Sequence, residues 1–223
     1  MIILLIIKIV RSIFLMEPCG VEPDGYFIKD GVAVIMIIGE IEGHENTGDS
    51  IKTTRYDHLI PLMVNLSMDP QIRGFLFLIH TIGGDVSCGL ALAETMASLR
   101  QPCVSLVMGD SHSIGVPLAV AVDYSFIVPT ATVLLHPVRM AGTILASSQT
   151  ACQFEQIQNR ILSFIETHTN ASRDSLKKMM NETTMIPKDL GTILVGEEAV
   201  KKGLICATGS LWDAIDKLTE MLV

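Results

Sequence analysis

The sequence has little aromatic content (5%) and little charge (18%), and its charge lacks a basic surplus: 24 acidic against 16 basic residues leave a formal net charge of −8 over 223 residues. Without that surplus there is no general attraction to a phosphate backbone, and nucleic acid is not an expected partner. Five cysteines (Cys19, Cys88, Cys103, Cys152, Cys206) occur without a CxxC pair or a histidine at zinc-ligand spacing, so no metal is expected. An odd number cannot pair wholly within one chain, and the pattern suits a reducing, cytoplasmic compartment. Neither a dinucleotide fingerprint nor a phosphate loop with its lysine is present. No cofactor is expected, and any ATP use must come from a partner.

Long apolar runs are also missing. The stretch Met1 to Leu15 (MIILLIIKIVRSIFL) is broken by Lys8 and Arg11 and falls short of the roughly 20 residues of a membrane span. Its charges follow the apolar run, and Leu15-Met16-Glu17 is no cleavage site, so a secretory signal is not indicated. Two readings of residues 1–15 stand: a peripheral amphipathic segment, or a translated leader ahead of a start at Met16. Membrane contact is then at most peripheral. No low-complexity linker divides the chain. The reading is an N-terminal segment over 1–31 and one domain over 32–223, long enough and apolar enough (49% hydrophobic) for a full-sized core.

Present instead are short β-branched apolar runs alternating with helical patterns. Val32–Gly39, Gly74–Ile79 and Cys103–Met108 read as buried strands, followed by Tyr124–Val128 and Thr132–His136. Helices are predicted over Tyr56–Leu66, Gly89–Leu99, Ser113–Val122 and, longest and most amphipathic, Gln149–Thr167. A further helix starts at Ser172 as N-cap and reaches about Met180. Glu197–Lys202 and Leu211–Leu222 close the chain. Repeated strand, glycine turn and helix units predict an α/β fold.

Two glycine turns, His80 to Asp85 and Gly109 to Gly115, stand at the carboxyl end of a strand and the amino end of a helix, where unpaired N–H groups favour developing negative charge. The second presents Ser113 at the first helical turn, the usual mounting of a nucleophilic serine, although an N-cap serine has the same setting. Asp110, Ser111 and His112 offer all three residue types of a triad, but neighbouring side chains diverge, and the tripeptide reads as a decoy. His136 is the better base: Pro137 disfavours helix before it and keeps it extended at a strand tip.

These residues resemble the ClpP family, the proteolytic subunits of Clp protease with the ClpP/crotonase fold, and within it the translocation-enhancing (TepA-type) members. The resemblance covers about residues 32–222. It rests on four ordered motifs: T-I-G-G-D at Thr81–Asp85, G-D-S-H-S-I-G-V-P at Gly109–Pro117, L-L-H-P-V-R at Leu134–Arg139 and E-E-A-V-K-K-G-L-I at Glu197–Ile205. It implies serine peptidase activity, with Ser113 as nucleophile, His136 as base, the Gly84 and Ile114 N–H groups as the oxyanion hole and Gly83 permitting the turn. The helix at about 149–167 matches a protruding handle through which subunits pack into rings, singly or stacked. Peptides or unfolded chains are the implied substrate, an ATP-driven unfoldase the implied partner, and protein export the implied physiological link.

Departures from the family pattern accompany the match. His80-Thr81-Ile82 replaces the usual Asn-Ser/Thr-Pro before the two glycines, and the stretch before the handle holds a single glycine, Gly142. Alignment of the short helix places Met179 where the family has its catalytic aspartate, with about eight extra residues before Glu197. Asp189 is the first substitute for the carboxylate and Glu182 the second; a dyad without acid is the third reading. Two competing functions follow: a weak or inactive interaction subunit of a ring, and a crotonase-like acyl-CoA enzyme, which relies on paired acidic residues and has no need of Ser113 with His136.

Overall fold

The computed structural model describes residues 25–45, 50–139, 148–184 and 190–223. Its centre is a sheet whose strands are β1 (Tyr26–Lys29), β2 (Val32–Ile38), β5 (Gly74–Thr81), β6 (Cys103–His112), β7 (Tyr124–Ile127), β8 (Thr132–Leu135), β9 (Thr192–Val195) and β10 (Ala207–Thr208). A small parallel pair, β3 (Glu40–Ile41) with β4 (Thr53–Thr54), forms within the stretch expected to be loop. The helices are α1 (Tyr56–Met68), α2 (Val86–Ala97), α3 (Gly115–Val120), α4 (Ser148–His168), α5 (Arg173–Met180), α6 (Glu197–Lys201) and α7 (Leu211–Met221).

Strand order is β1-β2-β5-β6-β7-β10, with β8 and β9 leaving this path at β6. The steps from β2 through β5, β6 and β7 to β10 are parallel, whereas the hairpin β1–β2 and the pair β8–β9 are antiparallel. The central strands are apolar on both faces, as parallel strands covered on both sides must be. Ala33, Ile35, Phe75 and Phe77 enter the larger core under α1, α2 and α3, and Val34, Leu76, Val104 and Leu106 meet Ala214 and Leu218 of α7 on the other side.

β6 is the strand that organises the functional end. Its first half pairs with β7, from Val104↔Tyr124 to Val107↔Ile127, and its second half with β8, from Asp110↔Thr132 to His112↔Leu134. The turn expected over Gly109–His112 is therefore strand: polar though these residues are, β5 and β8 supply ladder partners on either side. The helix expected from Ser113 begins two residues later, at Gly115. On the β5 side the register shifts between Ile79 and Thr81, so that Thr81 pairs with Ser111 and the glycine turn that follows comes level with Ser113.

The handle helix α4 has its expected bounds to within a residue at each end. Its fully buried side chains (Ile161, Leu162, Phe164, Ile165) all lie in the second half, while Ala151, Cys152, Gln153, Glu155 and Gln156 are exposed. The first half therefore projects from the core, as a handle does.

Candidate active site

The first glycine turn is built from the backbone outward. Gly83 (φ 96°) and Gly84 (φ 150°) adopt the left-handed conformations that side chains resist. Thr81, buried, stabilises the turn by accepting from the Gly83 N–H at 3.1 Å while donating to the Gly39 carbonyl. Ile41 clamps Gly84 from the other side: its N–H donates to the Gly83 carbonyl at 2.8 Å and its carbonyl accepts from the Asp85 N–H at 2.9 Å. A Cβ on Gly84 would strike the Ile41 backbone, and one on Gly83 would stand 2.8 Å from the Ser113 Cβ and 3.5 Å from the Ile114 nitrogen. The turn thus lies directly on the serine. Asp85 then caps α2, accepting from the Cys88 N–H at 2.9 Å.

Ser113 occupies the step from β6 into α3 with φ 56°, a region that costs a non-glycine residue on the order of 1–3 kcal/mol and is found where a side chain must be aimed. Its N–H donates to the Leu134 carbonyl at 2.8 Å, and its carbonyl accepts from Val116 at 3.1 Å. Serine and helix start are therefore fixed together. Ile114 anchors the turn with a fully buried side chain packed on Gly89. Among the described residues, the N–H groups of Gly84 and Ile114 have no acceptor in the protein.

His136 follows the last residue of β8, the strand that pairs in parallel with β6, so Ser113 and His136 leave the sheet at the same edge. Nδ1 of His136 lies 2.7 Å from the Pro137 carbonyl. A carbonyl only accepts, so Nδ1 carries the proton and Nε2 keeps its lone pair, the tautomer a base needs. Gly191 (φ 129°), just before β9, presses on this residue: a Cβ there would come within 2.9 Å of the His136 Cβ.

Asp189 lies outside the described residues. Glu182 does not contact His136: its Oε1 accepts from the N–H groups of Thr183 and Thr184 at 3.0 and 3.1 Å and from the Thr184 hydroxyl at 2.8 Å, and these bonds hold its carboxyl below the ordinary range. It caps a turn, and its main-chain carbonyl receives the Gly191 N–H. Met179 is buried, and its carbonyl accepts from the Thr192 hydroxyl at 2.7 Å, tying α5 to β9.

In the Asp110-Ser111-His112 tripeptide neighbouring side chains diverge, but the first and third meet. In a strand, alternate side chains share a face. Ser111 does turn inward, fully buried, with no partner for its hydroxyl among the described residues. Asp110 and His112 project together on the other side, where they meet Thr132 of β8. His80 joins through its Nδ1, which accepts from the Asp110 N–H at 2.9 Å. Burial moves the His112 pKa down, Asp110 opposes that, and the neighbouring His136 and His80 push it further down. Sequence reasoning placed His80 in the first glycine turn without foreseeing its bond to Asp110, and missed Thr132, which carries no motif; only the strand reading of 109–112 would have exposed both contacts.

Other nucleophiles and ligands find little support. Burial pushes the Cys88 thiol up to about 11 and the Cys103 thiol up to about 12, so neither offers a thiolate near neutrality. Among the described residues, no group of histidine, cysteine and carboxylate side chains is arranged to hold a metal ion, and no helix is long and apolar enough to cross a membrane.

Comparison with known proteins places the chain in a family. The sequence pattern of the Clp protease family matches residues 41–208. The translocation-enhancing protein TepA of Halalkalibacterium halodurans is 41% identical over 194 residues, 87% of this chain and 76% of that protein. ATP-dependent Clp protease proteolytic subunits are more distant: that of Leuconostoc citreum is 25% identical over 162 residues (72% of this chain, 70% of that protein), and that of Streptococcus sanguinis 26% over 153 residues (68% and 67%). A serine on a strained step between strand and helix, a glycine turn lying against it and a histidine at the end of the adjoining strand thus stand within a match that spans most of the sequence, and the chain belongs to the Clp protease family.

Proposed function

We propose that the protein is a serine-type endopeptidase in which Ser113 attacks the scissile carbonyl, Nε2 of His136 takes the serine proton, and the Gly84 and Ile114 N–H groups receive the oxyanion. The imidazolium then protonates the leaving amine, and a water activated by the same nitrogen hydrolyses the acyl-enzyme. The reading rests on one observation: β6 and β8 pair in parallel, and β6 ends beside the Gly83-Gly84 turn, where two N–H donors are without acceptors among the described residues. Each such donor is worth about 2.7–4 kcal/mol at a transition state. The Pro137 carbonyl keeps His136 in the base-competent tautomer. Asp189 is our choice for the carboxylate that faces the imidazolium. Gly191, two residues on, packs against His136, and two residues of chain reach about 7 Å.

The substrate class that suits this chemistry is peptides and unfolded protein segments, cleaved inside a homo-oligomeric ring in the cytoplasm, alone or fed by an ATP-driven unfoldase. The projecting half of α4 supports assembly through the handle. A link to protein export follows from the likeness to a translocation-enhancing protein. One observation favours a second reading, an inactive ring subunit: Met179, where the family's aspartate is expected, is buried with its carbonyl committed to Thr192.

Labelling of the folded, assembled protein with a fluorophosphonate probe decides between the two. Wild type is expected to label, Ser113→Ala to be silent and His136→Ala to label at least about 10²-fold more slowly, the contribution of a positioned base. Silence of the wild type would overturn the peptidase reading and leave the subunit role.

A further inference from the structure

Thr132 stands opposite Asp110 in the register of β8 on β6. Its hydroxyl donates to Oδ1 of Asp110 at 2.7 Å, and Nε2 of His112 lies 2.7 Å from the Thr132 hydroxyl oxygen. A hydroxyl has one proton, and the carboxylate has it; the threonine oxygen therefore accepts from Nε2–H of His112, which fixes that ring's tautomer. Asp110 Oδ1 is 3.4 Å from the same nitrogen, so the three side chains close a triangle across two strands. The Asp110 N–H, bonded to His80 Nδ1, ties the triangle to the end of β5 as well.

The two strands joined here carry the two reacting side chains. Ser113 is the next residue after His112, and His136 the next after β8. β8 is four residues long, and its pairing with β6 runs over three register pairs. That ladder is short, although β9 pairs with β8 on its other side and Val133 and Leu135 are buried; a slip of one residue would displace the strand by about 3.3 Å and reverse which way its side chains point, so a small error in register is costly to the site.

We propose that Thr132, with Asp110 and His112, is a positioning clamp that keeps β8 in register on β6 and so sets where the His136 imidazole stands relative to the Ser113 hydroxyl. Its consequence for catalysis rests on the reading of Ser113 as nucleophile; its consequence for the ladder does not. Asp110 and His112 act through the strand, with the His136 imidazole near enough to His112 to interact with it electrostatically.

Thr132→Val keeps the β-branched shape and removes the hydroxyl, whereas Thr132→Ser keeps the hydroxyl. Two readouts separate the roles: amide hydrogen exchange at Ser113, whose N–H is bonded to the Leu134 carbonyl, and the rates of fluorophosphonate labelling and peptide turnover. In Thr132→Val the Ser113 amide is expected to exchange faster, while labelling and kcat fall on the order of 10²-fold, the effect of about 1 Å of misplacement, with KM unchanged. Thr132→Ser restores both. Wild-type exchange in Thr132→Val, or failure of serine to restore it, would overturn the clamp; faster exchange with wild-type labelling would overturn its role in positioning the base. If wild type itself does not label, the nucleophile reading fails, and exchange alone still judges the clamp. Should Thr132→Val not fold, Asp110→Ala, at a partly exposed position, takes its place under the same criteria.

Discussion

At the scale of single residues, the site economises on charge. Ser113 is aimed by backbone geometry, at φ 56° between two main-chain hydrogen bonds, and His136 is held in its tautomer by a neutral carbonyl. In the proposed mechanism a carboxylate has one job left, to stabilise the imidazolium once it forms. This makes the expected cost of losing Asp189 smaller than the roughly 10⁴-fold loss that follows when removing the acid also imposes the wrong tautomer. A charge pair near the protein surface is worth ~1–4 kcal/mol, so Asp189→Asn should lower kcat by roughly 10- to 10³-fold without changing the fluorophosphonate-labelled residue. Steady-state turnover of a peptide substrate measures it. Full activity in Asp189→Asn, with His136→Ala inactive, would reject Asp189 as the acid.

At the scale of elements, the two faces of the sheet have separable tasks. α7 starts with a capping box, the Ser210 hydroxyl accepting from the Asp213 N–H and the Asp213 carboxylate accepting from the Ser210 N–H, and it lays Ala214 and Leu218 on Val34, Leu76, Val104 and Leu106. None of these side chains reaches the turn at Gly83 or the step at Ser113. Leu218→Ala, at a position 2% exposed, is therefore expected to cost about 2–5 kcal/mol of stability while leaving the labelling rate of the folded protein at the wild-type value; chemical denaturation and timed labelling on one preparation check both. The same division explains what was legible in the sequence. Val32–Ile38, Gly74–Ile79 and Cys103–Met108 announce themselves because burial on both faces demands continuous apolar runs, and Gly83, Gly84 and Pro137 mark the ends where chemistry can sit. Gly109–His112 misleads because its residues are turn formers; only the neighbouring strands, invisible in a local window, make it strand. β9 hides for a related reason, being four residues long and defined by its antiparallel pairing with β8. Thr132 is an ordinary strand residue until its partner across the ladder is known.

At the scale of the whole molecule, acidity and the histidine cluster together predict how stability depends on pH. The folded state lowers the His112 pKa below its ordinary 6.5, chiefly by burial, with His136 from the end of β8 and His80 from the end of β5 adding repulsion and Asp110 on β6 opposing them. The unfolded chain then binds the His112 proton more readily than the folded one. The neutral ring's contribution is fully present above about pH 6.5 and is lost as pH falls through the depressed folded value, so stability declines on acidification. A second decline comes lower, where Asp57, Glu182 and Asp213, all held below their ordinary values in the folded state, take up protons; because these groups are exposed, it is the shallower of the two per group. Between the two windows the net charge of −8 is titrated toward zero near the sequence pI of about 5.2, where self-association is favoured. Denaturant midpoints taken at micromolar concentration from pH 8 to pH 4 should therefore fall in two steps. His112→Gln, which keeps a donor toward Thr132 and cannot titrate, should flatten the upper step and leave the lower one in place. An upper step of undiminished slope in that variant would show that His112 is not the group taking up the proton, and would separate the clamp's tautomer from the acid sensitivity of the fold.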